Sequence, residues 1–256
     1  MALIVPVGAY FVMKGLSTQA VQMPRHYIYD SVRTTTVKGK LQVDTVWHRL
    51  PNFSFTNQLG QTVGLDDIGD KVIVADFFFT RCPTICPAMT VHMKKLQTGI
   101  TNAKRVNPDK ADFVHYLSFS VDPERDSVPE LKKWADRFGI NPDNWWLLTG
   151  PKKEIYDYSI NQMKLGAIDG QGVDTSFYHT DYMVLIDRAR NIRGYYHGLD
   201  TLALQKLSSD IVLLSLEKDP RRKKFWEGKL ELYAVVFGLA ILGLTLLFYF
   251  LKKEKV

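Results

Sequence analysis

The spacing of apolar and polar positions changes several times along the chain, and each change marks an element. Residues 2–13 are apolar almost throughout, too short a run to cross a bilayer, without a basic flank or a small-residue cleavage site. They read as the remnant of a signal anchor, or else as an apolar strand or interfacial segment. Residues 14–50 mix charge and Thr with little periodicity, and predict an irregular lead-in with few packed contacts. From Leu50 the pattern tightens: Phe53 and Phe55, then Val63 and Leu65, flank the turn-like Gln58-Leu59-Gly60-Gln61 and predict a β-hairpin. Residues 71–79 (KVIVADFFF) form a near-continuous apolar run, the pattern of a strand buried on both faces. Beyond a turn, Met89, Val91, Met93, Leu96 and Ile100 recur at helical spacing. A strand over 111–121, a helix over 128–138 opened by Pro129, and a short strand over 145–149 follow. Residues 152–163 predict a further helix, and 164–177 an irregular Gly- and Asp-containing excursion. A hairpin of 182–187 with 192–196 and a helix over 201–216 close the series. Strands alternating with helices imply right-handed crossovers and a mainly parallel sheet.

The last pattern is of another kind. Residues 232–251 carry no charge over 20 positions, which at 1.5 Å per residue is roughly 30 Å, the thickness of a bilayer core. Trp226, Tyr233, Phe248 and Tyr249 suit the two interfaces, and Lys252 and Lys253 close the run, so it is read as a transmembrane helix. The organisation expected is an apolar segment and lead-in (1–49), an α/β domain (50–216), a basic linker (217–231), the transmembrane helix (232–251) and a short basic tail (252–256).

The net charge of +6 could suggest a nucleic-acid partner, but its placement argues otherwise. Residues 221–256 hold eight Lys/Arg and three acids, whereas the other 220 residues hold 25 and 24. A nearly neutral domain with a basic tail points to a membrane surface and excludes a nucleic-acid groove.

Both cysteines of the chain, Cys82 and Cys86, lie within five residues, on the turn between the 71–79 strand and the following helix. A structural disulfide more often closes a long loop, and a pair this close points to redox or metal chemistry. The C-terminal end of a strand facing a helix N-terminus is where open α/β sheets bind ligands, and the helix's positive end favours thiolate. Two thiolates are soft ligands for Cu(I) or Zn(II), yet two sulfurs alone complete neither a tetrahedral zinc site nor an iron–sulfur cluster. Of six histidines, His179 stands on a loop before a strand that would face the cysteine turn in a thioredoxin-like fold, and His92 is the next candidate. His26 and His48 lie in the lead-in, His115 within an apolar strand and His197 after the last hairpin. Met89 and Met93, at i and i+4 of an amphipathic helix, read as core residues, and Arg81 as a solvated turn residue.

Three segments together resemble the Sco/SenC family. Phe77-Phe78-Phe79-Thr80-Arg81-Cys82-Pro83-Thr84-Ile85-Cys86-Pro87 is similar to that family's aromatic strand and T-x-C-P-x-x-C-P motif. Ser120-Val121-Asp122-Pro123-Glu124-Arg125-Asp126 resembles its S-x-D-P-E-R-D segment, and His179-Thr180 before an apolar strand ending in Asp187 resembles its histidine-bearing segment. The resemblance covers residues 50–215 and implies a thioredoxin-like domain with Cys82, Cys86 and His179 as copper ligands. It implies copper, as Cu(I) or Cu(II), delivered to the dinuclear copper site of cytochrome c oxidase, or reduction of the cysteines of that site. The partners implied are the copper-bearing oxidase subunit or another copper chaperone. Two features depart from the family: Tyr178 stands where many members have Asp, and a C-terminal span joins or replaces the usual N-terminal anchor. Asp122 is expected to cap its own loop rather than orient the cysteine turn.

Three functions compete. A metallochaperone uses all three ligands; a thiol:disulfide oxidoreductase needs only the cysteines; a peroxidase-type thiol enzyme gives no reason for the facing histidine. Arg221, Arg222, Lys223, Lys224 and Lys229 outnumber the lysines beyond the span, and by the positive-inside rule alone would put the domain in the cytoplasm. The family function calls for the extracytoplasmic side, and an N-terminal anchor that sets orientation first would allow it.

Overall fold

The computed structural model describes residues 22–37, 40–104, 113–165 and 180–217. The apolar 2–13 segment, His179 and the 232–251 span lie outside the described residues; among those described, no helix is long and apolar enough to cross a membrane. The described residues belong to one compact unit that ends at Glu217.

The lead-in departs from expectation. Tyr29–Val37 (β1) and Lys40–Trp47 (β2) pair as an antiparallel hairpin, with Val32 opposite Thr45 and Thr34 opposite Val43. The β-branched residues favour a pleated strand. The hairpin packs neither face into the core. Leu41 and Val43 do alternate with Lys40, Gln42 and Asp44, but the alternation is brief and the threonine run 34–36 hides it in β1, which is why the sequence pattern did not mark a strand pair.

The domain proper is a seven-stranded sheet built from Phe55–Asn57 (β3), Thr62–Val63 (β4), Val72–Phe78 (β5), Val114–Ser120 (β6), Trp145–Thr149 (β7), Tyr182–Ile186 (β8) and Ile192–His197 (β9). The spatial order is β4-β3-β7-β6-β5-β8-β9. Strands β5, β6 and β7 are mutually parallel, while β3, β8 and β9 pair antiparallel with their neighbours. Every residue of β5 and β6 is buried, the polar Asp76, His115, Ser118 and Ser120 among them, within otherwise apolar strands covered on both faces.

Among the described residues, five α-helices accompany the sheet: Leu65–Ile68 (α1), Ile85–Lys104 (α2), Val128–Phe138 (α3), Lys152–Asp157 (α4) and Thr201–Leu216 (α5). Helix α3 begins with Pro129 in its first turn and ends at Gly139, whose φ of 60° is the left-handed cap that glycine adopts without strain. The helix expected over 152–163 widens after Asp157 into a π turn, Tyr158–Gln162, closed by the Met163 N–H donating to the Tyr158 carbonyl.

The two faces of the sheet differ in kind. One carries Phe77 and Phe119 against Phe53, Phe55 and Tyr158, with ring centroids 5.1 to 6.4 Å apart. Burial of each such ring contributes about 1.5–3 kcal/mol, plus edge-to-face geometry. The other face carries Asp76, Phe78 and Ser118 beneath α2 and α3: Phe78 meets Trp134, and the Ser118 hydroxyl lies 4.0 Å from the Met93 sulfur while accepting from the Trp145 indole N–H. Met89 and Met93 are buried here, as core residues.

Asp76 is the anomaly of this core. It is 1% exposed, and its Oδ1 has no hydrogen-bond partner. Burial pushes its carboxyl up to about 7, against the Ser118 hydroxyl that pulls it down. The fold therefore favours the neutral acid, and the sign follows: the contribution to stability is complete below the ordinary value near 3.8 and is lost as pH rises through about 7. Chemical denaturation across this window should show stability falling with pH in the native chain. Asp76→Asn should flatten that dependence and be the more stable protein above about pH 7.

Candidate metal centre

The chain leaves β5 at Phe78, turns through Phe79 to Thr84 and enters α2 at Ile85, so the first thiol sits on the turn and the second in the first turn of the helix. The two are brought together: the Cys86 backbone N–H donates to the Cys82 sulfur at 3.3 Å, and the Cys82 N–H donates to the Phe79 carbonyl at 3.2 Å. Both cysteines are free thiols and buried, Cys82 at 5% and Cys86 at 2% exposure. Helix α2 is held below them by Thr90, whose hydroxyl donates to the Cys86 carbonyl at 2.8 Å and accepts from the Trp134 indole at 3.3 Å.

The same turn makes the two sulfurs unequal. Burial raises the Cys82 thiol, but N–H groups of Cys86, Thr84 and Ile85 and the Cys86 thiol itself bond to that sulfur and carry it below its ordinary value. Cys86 is driven upward by burial and by the charges of Cys82 and Asp76, with one opposing bond from the Phe79 backbone. Cys82 is thus the more acidic thiol of the pair, and Cys86 holds its proton more tightly.

A clamp that the sequence did not single out anchors this turn. Asp126, wholly buried, accepts from the Thr80 N–H at 3.2 Å, the Thr80 hydroxyl at 2.5 Å and the Ser120 hydroxyl at 2.5 Å. Thr80 stands two residues before Cys82, so the loop after β6 holds the cysteine turn against the sheet. Asp122 adds no carboxylate bond to the clamp, and only its N–H reaches it, donating to the Ser120 hydroxyl at 3.2 Å. Its carbonyl accepts from the Arg125 and Asp126 N–H groups and its carboxylate meets Arg125 at 3.5 Å, the loop-capping role expected of it. The sequence shows three acids in seven residues and no way to tell which one turns inward.

Of the histidines, His92 does not join the cysteines. Its Nδ1 lies 2.7 Å from the Gly198 carbonyl, across the gap between α2 and the end of β9. His115 is buried on β6 with its ring 4.2 Å from that of Trp146. His26 stacks on Trp47 at 4.6 Å, and His48 bonds Asp30 at 2.8 Å. His197 meets the Tyr182 hydroxyl at 2.8 Å and Asp181 at 3.3 Å. Among the described residues no three His, Cys, Asp or Glu side chains gather into a metal cluster.

His179 itself is not described, but the residues that follow it are. Thr180 is buried, 5% exposed, and its hydroxyl accepts from the Tyr182 N–H at 3.2 Å. Strand β8 runs antiparallel to β5 with Val184 opposite Ala75. Counted on from that register, the start of β8 approaches the end of β5, where the cysteine turn begins. The Asp181 carbonyl accepts from the Gly198 N–H at 2.7 Å, and a Cβ added at Gly198 would lie 2.9 Å from the Met89 methyl and 3.0 Å from that carbonyl. Only glycine lets the end of β9 approach Asp181 and α2 this closely.

The fold and this pair of thiols define a thioredoxin-like dithiol protein. The SCO1/SenC family model matches residues 47–212, and the chain belongs to that family. It is 32% identical to the SCO1 protein homolog of Bacillus subtilis over 174 residues, 68% of this chain and 86% of that protein. The structure of BsSco, described as a member of the Sco family of cytochrome c oxidase assembly proteins with a disulfide switch, superposes with a TM-score of 0.55 at 32% identity. It covers 68% of this chain and 98% of that one. Yeast Sco1, solved with copper bound, shares the fold at 19% identity and a TM-score of 0.50, over 69% of this chain and 98% of that one.

The inequality of the two thiols has a direct readout. With the reduced protein near neutral pH, iodoacetamide should alkylate Cys82 roughly tenfold or more faster than Cys86, as followed by peptide mass spectrometry. Equal rates would mean that the N–H groups around Cys82 do not favour its thiolate.

Proposed function

We propose that this protein is a copper metallochaperone that binds copper through Cys82, Cys86 and His179 and delivers it to the dinuclear copper site of cytochrome c oxidase during assembly. The observation that carries the reading is the pair of buried thiols held together at a helix N-terminus, the Cys86 N–H on the Cys82 sulfur. Two soft sulfurs in a dry pocket suit Cu(I), and an imidazole added to them suits Cu(II). His179 as third ligand is supported by its neighbours: Thr180 is buried at the head of β8, and Asp181 packs through Gly198 toward the first turns of α2. Family membership and the copper held by yeast Sco1 favour the same metal. Copper is cargo in this reading, passed to the oxidase subunit or received from another chaperone by exchange of ligands one at a time.

A second reading, a membrane-anchored thiol:disulfide oxidoreductase that reduces the cysteines of that site, is favoured by the inequality of the sulfurs. The Cys82 thiolate attacks a partner disulfide and releases one partner thiolate. Cys86 then displaces the other, and the pair is left oxidised as a disulfide. Imidazole has no part in this exchange, so His179 separates the two readings.

The reduced protein should bind one Cu(I), and Cys82→Ser or Cys86→Ser should abolish stable binding. His179→Ala should lose most Cu(II) binding together with its sulfur-to-copper charge-transfer absorption, keep part of its Cu(I) binding, and fail to support oxidase assembly in cells. Normal assembly with His179→Ala, alongside failure with Cys82→Ser, would transfer the function to redox chemistry.

The 232–251 span is expected to hold the protein in the membrane fraction with its thiols on the extracytoplasmic side. In intact cells after mild reduction, a membrane-impermeant thiol reagent should label Cys82. Labelling only after lysis would mean that the Arg221 to Lys224 run had set the topology instead.

A further inference from the structure

Arg193, on β9 and 3% exposed, gathers the two ends of the described chain onto one guanidinium. Its Nε and Nη2 donate to the Pro24 carbonyl, its Nη1 to Asp187 at 3.0 Å, and its Nη1 and Nη2 to the Glu217 carboxylate at 2.7 and 3.1 Å. The chain therefore arrives at Pro24 and departs at Glu217 from one edge of the domain. That edge lies at the N-terminal end of β5: Arg193 follows Ile192, which pairs with Ile186, which pairs with Ile73. The cysteine turn is at the other end of the same strand, and seven residues at about 3.3 Å each separate the two ends by about 20 Å.

The β1–β2 hairpin is rooted at this edge. The Tyr27 N–H donates to the Ile192 carbonyl and the Leu50 N–H to the Arg190 carbonyl. Its register puts Val32, Thr34 and Thr36 on the same face as Leu41, Val43 and Thr45, with Arg33 and Asp44 on the other. That first face is left open: Val32 is 54% exposed, Leu41 76% and Val43 65%, with Tyr29 at 62% and Trp47 at 37% near the root. A two-stranded ribbon alone is marginal in water and calls for something to cover its apolar face. Aliphatic side chains ending in Tyr and Trp match a headgroup–acyl boundary. The sequence adds exposed Arg25 at the root and Arg221, Arg222, Lys223 and Lys224 after the exit, which suit anionic headgroups. The 14 residues 218–231, fully extended, reach at most about 50 Å, and the hairpin at about 3.3 Å per residue extends about 25–30 Å, so a bilayer holding the 232–251 span is within its reach.

We infer that the open face of the β1–β2 hairpin rests in the headgroup–acyl boundary of the bilayer to which the chain is anchored, and that it holds the cysteine turn directed away from that bilayer. This rests on the reading of 232–251 as a membrane anchor. The site would then be presented to a partner domain that stands clear of the lipid, not to one embedded in it.

The test uses the full chain in vesicles of phosphatidylcholine and phosphatidylglycerol, with and without dibrominated phosphatidylcholine, whose bromines quench tryptophan at short range. Leu41→Trp and Val43→Trp add a reporter to the open face, and Thr35→Trp adds one to the opposite face. After subtraction of the native signal, the added emission of the first two should be quenched several-fold more than that of Thr35→Trp. Equal quenching, or a blue-shifted reporter at 41 that bromine does not touch, overturns the inference; the second outcome assigns the face to a protein surface or a second copy. Sedimentation of the native chain with the vesicles through alkaline carbonate reports the anchor separately. A chain that sediments without hairpin quenching defeats the inference alone, and one that does not sediment defeats the anchor reading and the inference with it.

Discussion

Strand β5 is buried along its whole length between β6 and β8, and all else in the site is measured from its C-terminal end. A central strand cannot slip its register without turning its buried set over, so its end is among the most rigid points in the domain. The cysteine turn hangs from that point and gains a second support from across the sheet, where Asp126 takes both the N–H and the hydroxyl of Thr80. A turn fixed at both ends keeps the Cys86 N–H on the Cys82 sulfur without cost to the thiols themselves.

The polarity beneath this turn runs against the usual order of a core. Asp76 is sealed under α2 with one oxygen unpartnered, and its charge pushes the Cys86 thiol further from ionisation. The two sulfurs are thereby divided into one poised to react and one that holds its proton until a ligand or disulfide partner compensates for it. A dithiol with unequal thiols can take up a soft cation or exchange disulfides.

At the far end of β5, Arg193 ties together the arrival and the departure of the chain. With its two carboxylate partners it forms a buried, charge-assisted cluster in which burial is outweighed by the bonds to Glu217 and Asp187, and the guanidinium stays charged. The described chain therefore begins and ends at one edge of the domain, and the cysteine turn stands at the opposite end of β5. The sheet between them is a rigid spacer.

The sequence by itself determined the elements whose burial is uniform or periodic: the near-continuous apolar run of β5, the helical spacing of Met89, Met93 and Leu96 in α2, the Pro129 start of α3, and the last hairpin from 182 onward. It also showed the dicysteine turn, because two cysteines within five residues of each other between a strand and a helix leave little other use for them. The tertiary structure alone decided which acid turned inward, since Asp122 and Asp126 differ only in what faces them across the sheet. It alone showed that His92 serves the Gly198 loop, because a helical face says nothing of the strand packed against it. The lead-in hairpin was missed because its alternation is brief, Leu41 and Val43 against Gln42 and Asp44, and the threonines at 34–36 blur it in the partner strand, so only the pairing itself showed that one face is apolar.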